Sequence, residues 1–281
     1  MGNPMCKHLM NSFKNVTVYS RTKASVENLI AEGARYAEPL ELAKECDVIF
    51  TMLGYPADVE QVFLNEQSGL LRFAKKGSVI VDHTTSSPSL AKRLHQFGSE
   101  KGVGVIDAPV SGGDVGARNG ALVIMCGGNA EDYQKAQPLL KCYAKAMEHF
   151  GGPGMGQHAK MANQISVASS IAALCETLLY SQQVGLDSQK LIDLIKHGAA
   201  QSFSLEKYGP RLLTHDHKPG FYVDHFVKDM EICLEECRRM NLTLPCLTTV
   251  HGLYKLYVAQ GGGKNGAHAL IECLRFINYL K

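Results

Sequence analysis

The chain has 281 residues, of which 45% are hydrophobic and 20% charged, a composition typical of a globular protein with a sizeable core. Its 29 basic and 27 acidic residues are interspersed and give a formal net charge of +2, so the sequence lacks the basic stripe that nucleic-acid binding requires. It has no tryptophan for a base-stacking platform and no apolar run that would cross a bilayer. We therefore expect neither nucleic acid nor membrane as a partner.

The first half of the chain alternates short β-branched runs with helical patterns. Strands are predicted at residues 16–20, 47–53, 78–82, 105–107 and 121–126, and helices at residues 3–10, 25–32, 41–45, 57–64, 89–101 and 130–142. Apolar strands that alternate with helices are typical of a mostly parallel sheet covered on both faces. The sequence thus predicts a doubly wound α/β domain, in which ligands bind at the carboxyl ends of the strands.

The second half has helical patterns only. The run from Gln157 to Val184 contains no glycine or proline and predicts one long helix. Further helices are predicted at residues 187–197, 203–213, 223–240, 244–260 and 267–279. The glycine-rich break at residues 151–154 predicts a domain boundary, with an α/β domain over residues 1–152 and an all-helical domain over residues 153–281.

The cysteines bear on the cellular compartment. There are nine, an odd number, and none forms a Cys-x-x-Cys pair, so a disulfide framework is not indicated. We expect a reduced protein of the cytoplasm, or of the mitochondrion if a transit peptide precedes the sequence given. Two spacings suit a metal, Cys233 with Cys237 and His215 with His217, but each lacks a second ligand pair. We interpret them as packed or loop side chains and expect no metal.

Lys160 lies in the first turns of the long predicted helix. Residues three and four apart are neighbours on a helix surface, so Lys160, Asn163 and Gln164 share one face. An ammonium and two amides therefore point at one place. A solvated polar face near a helix end would give the same pattern, since most exposed lysines have no chemical role.

Two other polar stretches follow predicted strands. The run from Asp82 to Pro88 is rich in hydroxyls, which would also serve simply to cap the next helix. The run Asp107-Ala108-Pro109-Val110-Ser111-Gly112-Gly113-Asp114 can present a hydroxyl and bare backbone N–H groups to an anion, although it also suits an ordinary turn. Beside Lys160, such a loop would complete a site for a small carboxylate that bears a carbonyl group.

The stretches from Asp107 to Gly113 and from Gly154 to Gln164 resemble the substrate-binding and catalytic motifs of the β-hydroxyacid dehydrogenases. This family includes 3-hydroxyisobutyrate dehydrogenase and the tartronate-semialdehyde and glyoxylate reductases, and the resemblance covers nearly the whole chain. It implies an N-terminal Rossmann domain, a C-terminal helical domain and a nicotinamide cofactor. It also implies hydride transfer on small β-hydroxyacids or semialdehyde carboxylates, and a homodimer or homotetramer.

The resemblance also implies roles for individual residues. Lys160 would be the general acid and base. The substrate would be held by Ser111, Gly112, Gly113 and Asn163. The cofactor would be approached by Gly2, Leu53, Gly54, Thr85, Phe221 and Lys228. Asp229 would orient one of the lysines.

The residues after the first predicted strand bear on the choice of cofactor. NAD-specific Rossmann domains place an acidic residue there to hold the ribose 2′-hydroxyl, whereas this chain has Ser20, Arg21 and Thr22. A guanidinium and two hydroxyls suit a 2′-phosphate, so we expect NADP rather than NAD. The alternative is that Thr22 caps the next helix and Arg21 is an ordinary surface charge.

The cofactor fingerprint of the family is only partly present. The start, Met1-Gly2-Asn3-Pro4-Met5, corresponds to the end of the family's Gly-x-Gly-x-Met-Gly motif. The first strand and two glycines have no counterpart in the sequence given, and that strand would lie in the middle of the sheet. We therefore expect weaker NADPH binding than in a chain extended upstream by these elements. The alternative function is that of a non-catalytic oligomerising or ligand-binding relative.

Overall fold

The computed structural model describes residues 1–280, and the chain divides into two compact units, Met1–Lys160 and Met161–Lys281. The first unit is mixed α/β. Its helices are α1 (Gly2–Ser12), α2 (Glu27–Ala31), α3 (Pro39–Glu45), α4 (Pro56–Leu64), α5 (Leu70–Phe73), α6 (Pro88–Glu100), α7 (Gly113–Arg118) and α8 (Ala130–Leu140). Its strands are β1 (Thr17–Val18), β2 (Arg35–Tyr36), β3 (Val48–Thr51), β4 (Val79–Asp82), β5 (Gly104–Asp107), β6 (Val110–Ser111), β7 (Leu122–Cys126) and β8 (Ala144–His149).

The strands of the first unit pair mostly in parallel, as predicted. β1 pairs with β2, and β3, β4 and β5 form a second parallel sheet in that order. β7 pairs with β8 in parallel and with β6 in antiparallel orientation. The expected continuous sheet is therefore divided into three hydrogen-bonded pieces among residues 1–280.

The central strand β4 is buried on both faces. Ile80 packs with Phe63 of α4 and Leu71 of α5 in one apolar cluster, whereas Val79 and Val81 belong to a second cluster on the opposite face. Because successive side chains of a strand point to opposite faces, this separation requires helices on both sides of the sheet. It explains why the apolar run at residues 78–82 was nearly continuous rather than alternating.

Five short elements were missed in the sequence. They are β2, β6, β8, α5 and α7. The two residues of β2 carry no periodic signal, and Arg35 is exposed. Strand β8 is a polar edge strand with only partly buried positions, so its sequence does not alternate clearly. These elements form because of pairing and packing partners distant in the chain, which local patterns do not contain.

The second unit is all-helical, as predicted. The long helix α9 (Met155–Gln183) begins in the first unit and continues through the second. It is followed by α10 (Ser188–Ile195), α11 (Phe203–Leu213), α12 (Val223–Arg239), α13 (Pro245–Ala259) and α14 (Leu270–Ile277). Fully buried Phe226 and Tyr254 lie in its core, where the Tyr254 hydroxyl donates a hydrogen bond to Ala267 O at 2.6 Å. Among residues 1–280, none of the helices combines the length and hydropathy that a bilayer crossing requires.

The first turn of α9 lies directly against the ends of β5 and β7. A β-carbon added to Gly156 would overlap the carbonyl oxygens of Asp107 and Met125 and would lie 2.8 Å from the amide nitrogen of Gly127. All three are backbone atoms of the sheet edge, which cannot move aside as a flexible side chain can. Glycine at position 156 is therefore required for this close approach.

We predict that Gly156→Ala destabilises the protein by about 1–3 kcal/mol, the usual cost of overpacking. Gly252→Ala is the matched control, because Gly252 also lies inside a helix, α13, but a β-carbon there meets nothing within 4 Å. The free energy of unfolding of the control should rise by roughly 0.5–1 kcal/mol, because alanine has a better helix propensity than glycine. Denaturant and thermal unfolding measure the stability of each variant. Equal stabilities of the two variants would contradict the close approach.

Candidate active site

The ends of β3 and β4 are joined by a hydrogen-bond network around Asp82. The carboxylate oxygen Oδ1 of this buried residue accepts from the Thr51 hydroxyl at 2.7 Å and from the Thr84 amide at 3.1 Å. The Thr84 hydroxyl oxygen in turn accepts from the Leu53 amide at 2.8 Å. Two predicted cofactor segments, the Leu53 to Gly54 turn and the loop with Thr85, are thereby fastened to each other.

Gln157 of α9 fixes the backbone on both sides of Thr85. Its side-chain nitrogen donates to Thr84 O at 2.8 Å, and its side-chain oxygen accepts from the Ser86 amide at 2.9 Å. Gln157 is 1% exposed, so these bonds form away from water. The position of the Thr85 loop therefore depends on where α9 begins.

Asp107, the last residue of β5, holds the start of α9. Its two carboxylate oxygens accept separate hydrogen bonds, Oδ1 from the Gly154 amide and Oδ2 from the Gln157 amide, each at 2.8 Å. Burial raises the pKa of Asp107 to about 6, although the amide donors of Gly154 and Gln157 lower it and nearby Asp82 raises it further. The carboxylate thus satisfies two of the amides that a helix start leaves without partners.

Lys160 lies one turn further along α9. It is 6% exposed, a degree of burial that is rare for lysine. The interpretation of residues 160–164 as a solvated polar face is therefore wrong, since Gln164 is also buried and Asn163 is half-buried.

His83 stabilises the segment between Asp107 and Pro109. Its ring nitrogen Nδ1 lies 2.7 Å from the Ala108 carbonyl oxygen, which can only accept, so Nδ1 carries the proton. Nε2 consequently accepts from the Tyr143 hydroxyl at 2.9 Å. Burial lowers the pKa of His83 to about 4, and the ring is neutral at physiological pH.

Ser111, Gly112 and Gly113 form the turn from β6 into α7. Ser111 pairs with Val123 of β7. Gly112 has φ 122° and Gly113 has φ 62°, conformations that residues with side chains rarely adopt. The turn itself therefore requires both glycines, and their role in holding the substrate stays a prediction.

The residues predicted to select NADP lie at the end of β1. Arg21 has an 87% exposed side chain, and its Nη1 atom is 3.7 Å from Oδ1 of Asp58 in α4. The Ser20 hydroxyl bonds to that of Ser25 at 2.8 Å, and the Thr22 side chain makes no capping hydrogen bond to the helix that follows. The alternative interpretation of Thr22 as a capping side chain is therefore not supported.

Gly2 begins α1 beside the turn after β3. A β-carbon on Gly2 would lie 3.7 Å from Cβ of Met52, the residue before Leu53. Gly2 thus lies beside the residue that precedes the Leu53 to Gly54 turn.

In the second unit, a buried chain of polar groups connects Asn163 to Lys228. Asn163 donates to the Gln164 side-chain oxygen at 2.9 Å, and Gln164 donates to Asp229 Oδ2 at 2.6 Å. The Lys228 ammonium lies 2.9 Å from Asp229 Oδ1 and forms an ion pair with it, but the angles of this contact do not meet those of a hydrogen bond. The ring of Phe221 packs on that of Phe226, with centroids 5.4 Å apart, and Phe226 lies two residues before Lys228 on α12.

Four residues of the first unit were not assigned roles from the sequence. They are Asp82, Thr84, Asp107 and Gln157, all of which lie in the polar stretches quoted above. Two of them could have been identified by their position in the sequence, because Asp82 and Asp107 each end an apolar strand and begin a polar run. Which backbone groups they bind depends on the tertiary structure.

His215 and His217 lie close to Glu272 in the second unit, and ligand atoms of the three residues lie within 4.8 Å of one another. His217 Nε2 is buried and 3.4 Å from Glu272 Oε1. However, the Arg275 guanidinium already donates to Glu272 Oε1 at 2.8 Å and lies 3.4 Å from His215 Nδ1. Because a cationic group occupies this cluster, we assign no metal to it.

Comparison with known proteins places both units in one family. Residues 1–152 match the family model described as the NAD-binding domain of 6-phosphogluconate dehydrogenase. Residues 154–274 match the model described as NAD-binding of NADP-dependent 3-hydroxyisobutyrate dehydrogenase.

Relatives and solved structures agree with these matches. The chain is 46% identical over 279 residues to probable 3-hydroxyisobutyrate dehydrogenase-like 1, mitochondrial, of Arabidopsis thaliana, covering 99% of this chain and 83% of that protein. It is 32% identical to 2-hydroxy-3-oxopropionate reductase of Escherichia coli, covering 99% and 94%. The structure of 3-hydroxyisobutyrate dehydrogenase from Mycobacterium tuberculosis with L-serine superposes with a TM-score of 0.88 at 26% identity, covering 98% and 96%.

The described relatives are dehydrogenases and reductases that act at hydroxyl-bearing carbons, and the two family models are those of nicotinamide-binding domains. The resemblance inferred from residues 107–113 and 154–164 is thereby confirmed. This chain belongs to the β-hydroxyacid dehydrogenase family.

Proposed function

We propose that this protein is an NADP-dependent oxidoreductase of small β-hydroxyacids or semialdehyde carboxylates, with Lys160 as its general acid and base. The observation that carries the proposal is the burial of Lys160, which is 6% exposed one turn after the start of α9. An ammonium taken out of water interacts more strongly with charge that develops beside it than an exposed one does.

Lys160 has a defined task in each direction of the reaction. In reduction, negative charge develops on the carbonyl oxygen of the substrate, and the ammonium stabilises that charge and donates the proton. In oxidation, the neutral amine takes the proton of the hydroxyl group. Ser111 and the backbone of Gly112 and Gly113 hold the carboxylate end of the substrate, and Asn163 orients it.

The residues at the strand ends fit a nicotinamide dinucleotide. Gly2 lies beside Met52, the Leu53 amide is held by the Thr84 hydroxyl, and no carboxylate directly follows β1 to repel a 2′-phosphate. Thr85, Phe221 and Lys228 are proposed as further cofactor-binding residues. When bound, the nicotinamide donates or accepts the hydride.

The names of the relatives suggest which substrates to test. Two of them are named for 3-hydroxyisobutyrate and 2-hydroxy-3-oxopropionate, and both compounds pair a carboxylate with an oxygen function on the β-carbon. We propose this substrate class, and a panel of such acids and semialdehydes with NADPH and NADH identifies the member that is turned over.

We predict that Lys160→Ala lowers kcat by about 10²- to 10⁴-fold, the usual contribution of a positioned acid or base. NADPH affinity should change little, because the substitution removes a proton donor to the substrate rather than a cofactor contact. Steady-state kinetics and a fluorescence titration with NADPH measure the two quantities.

The control is Lys190→Ala, because Lys190 is a surface lysine of α10 with an 85% exposed side chain. This control should retain the activity of the parent protein. A Lys160→Ala variant with most of the parental turnover would refute the assignment.

We predict that Arg21→Ala weakens NADPH binding by about 10- to 100-fold, as expected for the loss of a hydrogen-bonded charge pair. NADH lacks the 2′-phosphate, so its affinity should not change. Isothermal titration of both cofactors provides the comparison, with Arg93→Ala as the control, since Arg93 is a half-exposed arginine of the same unit paired with Glu60. Equal losses for NADPH and NADH would contradict the role of Arg21.

We also propose that the chain assembles as a homodimer or homotetramer through its helical unit. Several large apolar side chains of this unit are exposed, including Tyr180, Leu194, Phe203 and Phe276. Exposed apolar surface of this kind is common at interfaces between subunits. Light scattering coupled to size-exclusion chromatography should therefore give a mass about two or four times the 30.7 kDa of one chain, and a mass of one chain would contradict the proposal.

A further inference from the structure

Asp107 is connected to Lys160 through a single turn of helix. Its Oδ1 and Oδ2 atoms bind the amides of Gly154 and Gln157, and Lys160 follows three residues after Gln157. Gly156, between the two amides, allows no β-carbon against the sheet edge. A shift of this turn would therefore move the ammonium of Lys160 as well.

We propose that Asp107 is a positioning residue, whose ionised carboxylate holds the first turn of α9 so that Lys160 is correctly placed for proton transfer. This inference rests on the proposed catalytic role of Lys160. It assigns to the aspartate of the 107–113 stretch a function separate from substrate binding, which Ser111, Gly112 and Gly113 perform.

The hydrogen-bond geometry favours the ionised form. A carboxylate has acceptors only, and here each oxygen faces an N–H donor. Protonation makes the oxygen that carries the proton a weaker acceptor, and the side-chain nitrogen of asparagine cannot accept at all. One amide of the helix start then has a weakened or missing partner at a buried site.

Two titratable groups lie near Asp107 on neighbouring strands, Asp82 of β4 and Cys126 of β7. The next titratable residues of α9 are His158 and Lys160. Burial raises the pKa of the Cys126 thiol to about 12, so this group stays neutral. Burial also raises the pKa of Asp107 to about 6, so its carboxylate takes up a proton within a pH range where the protein can be assayed.

Because the pKa of Asp107 is raised rather than lowered, a loss of activity in acid can be distinguished from a loss of stability. A carboxyl group whose pKa is higher in the folded protein than its ordinary value of 3.8 binds its proton more tightly when folded. Protonation of Asp107 therefore does not lower the free energy of unfolding, and the contribution of this residue is lost as pH rises from about 3.8 through about 6. Activity and stability should accordingly respond to acid in opposite directions at this residue.

The first test is the pH dependence of kcat in the parent protein, in Asp107→Asn and in the control Asp187→Asn. Asp187 caps α10 through the Lys190 amide at 3.0 Å, so the control also loses an aspartate at a helix start, but on a different helix. We expect an acid limb with an apparent pKa of about 6 in the parent and in the control. Asp107→Asn should lack this limb, with kcat at pH 7.5 reduced about 10- to 100-fold, as for a slightly misplaced catalytic group, and KM changed much less.

The second test does not depend on activity. Hydrogen exchange of the peptide that covers residues 154–160 should be faster in Asp107→Asn than in the parent, after correction for intrinsic rates. In the parent it should become faster as pH falls below about 6. If Asp107→Asn does not fold, the measurement on the parent alone still decides whether the carboxylate holds this turn.

The outcomes distinguish this inference from the proposed function. An acid limb that persists in Asp107→Asn, a normal kcat in that variant, or exchange at residues 154–160 that is independent of pH would overturn the positioning role. A fully active Lys160→Ala variant would instead refute the catalytic role of Lys160, whatever the exchange data show about the helix start.

Discussion

The start of α9 is constrained by the sheet edge at three successive points. The Asp107 carboxylate binds the amides of Gly154 and Gln157, and Gly156 lies so close to the backbone of β5 and β7 that a side chain cannot fit. These contacts are short, buried and made to groups of fixed position, so the helix can begin at one place only. Much of the candidate site depends on that position.

The consequences extend through Gln157 to the cofactor edge. Once its backbone is held by Asp107, the side chain of Gln157 reaches the backbone on both sides of Thr85. Thr84 links the same loop to the Leu53 turn, and Asp82 joins the ends of β3 and β4. Residues proposed to bind cofactor and the residue proposed to move the proton are therefore positioned by one connected network. Networks of this kind are more rigid than their separate bonds.

The second unit also contains a buried aspartate that connects several polar residues. Asp229 is 1% exposed and connects Gln164 of α9 to Lys228, while Asn163 is attached to Gln164. A buried carboxylate is costly unless hydrogen bonds and a cation compensate it, and here Gln164 and Lys228 provide both. In both units a buried aspartate contacts residues in or next to the proposed site.

The sequence by itself determined the fold class, the helical second half and the identity of Lys160 as the candidate acid and base. These follow from local information, namely near-continuous apolar strands, helical periodicity and the two family motifs around Ser111 and Lys160. The strands β2, β6 and β8, the division of the sheet into three pieces and the burial of Lys160 were decided by the tertiary structure. Each depends on partners far apart in the chain. The same is true of the hydrogen bonds of Asp107, because Gly154 is 47 positions and Gln157 is 50 positions further along the sequence. A local pattern can show that an aspartate ends a strand, but only the folded chain brings the amides of α9 to its two oxygens.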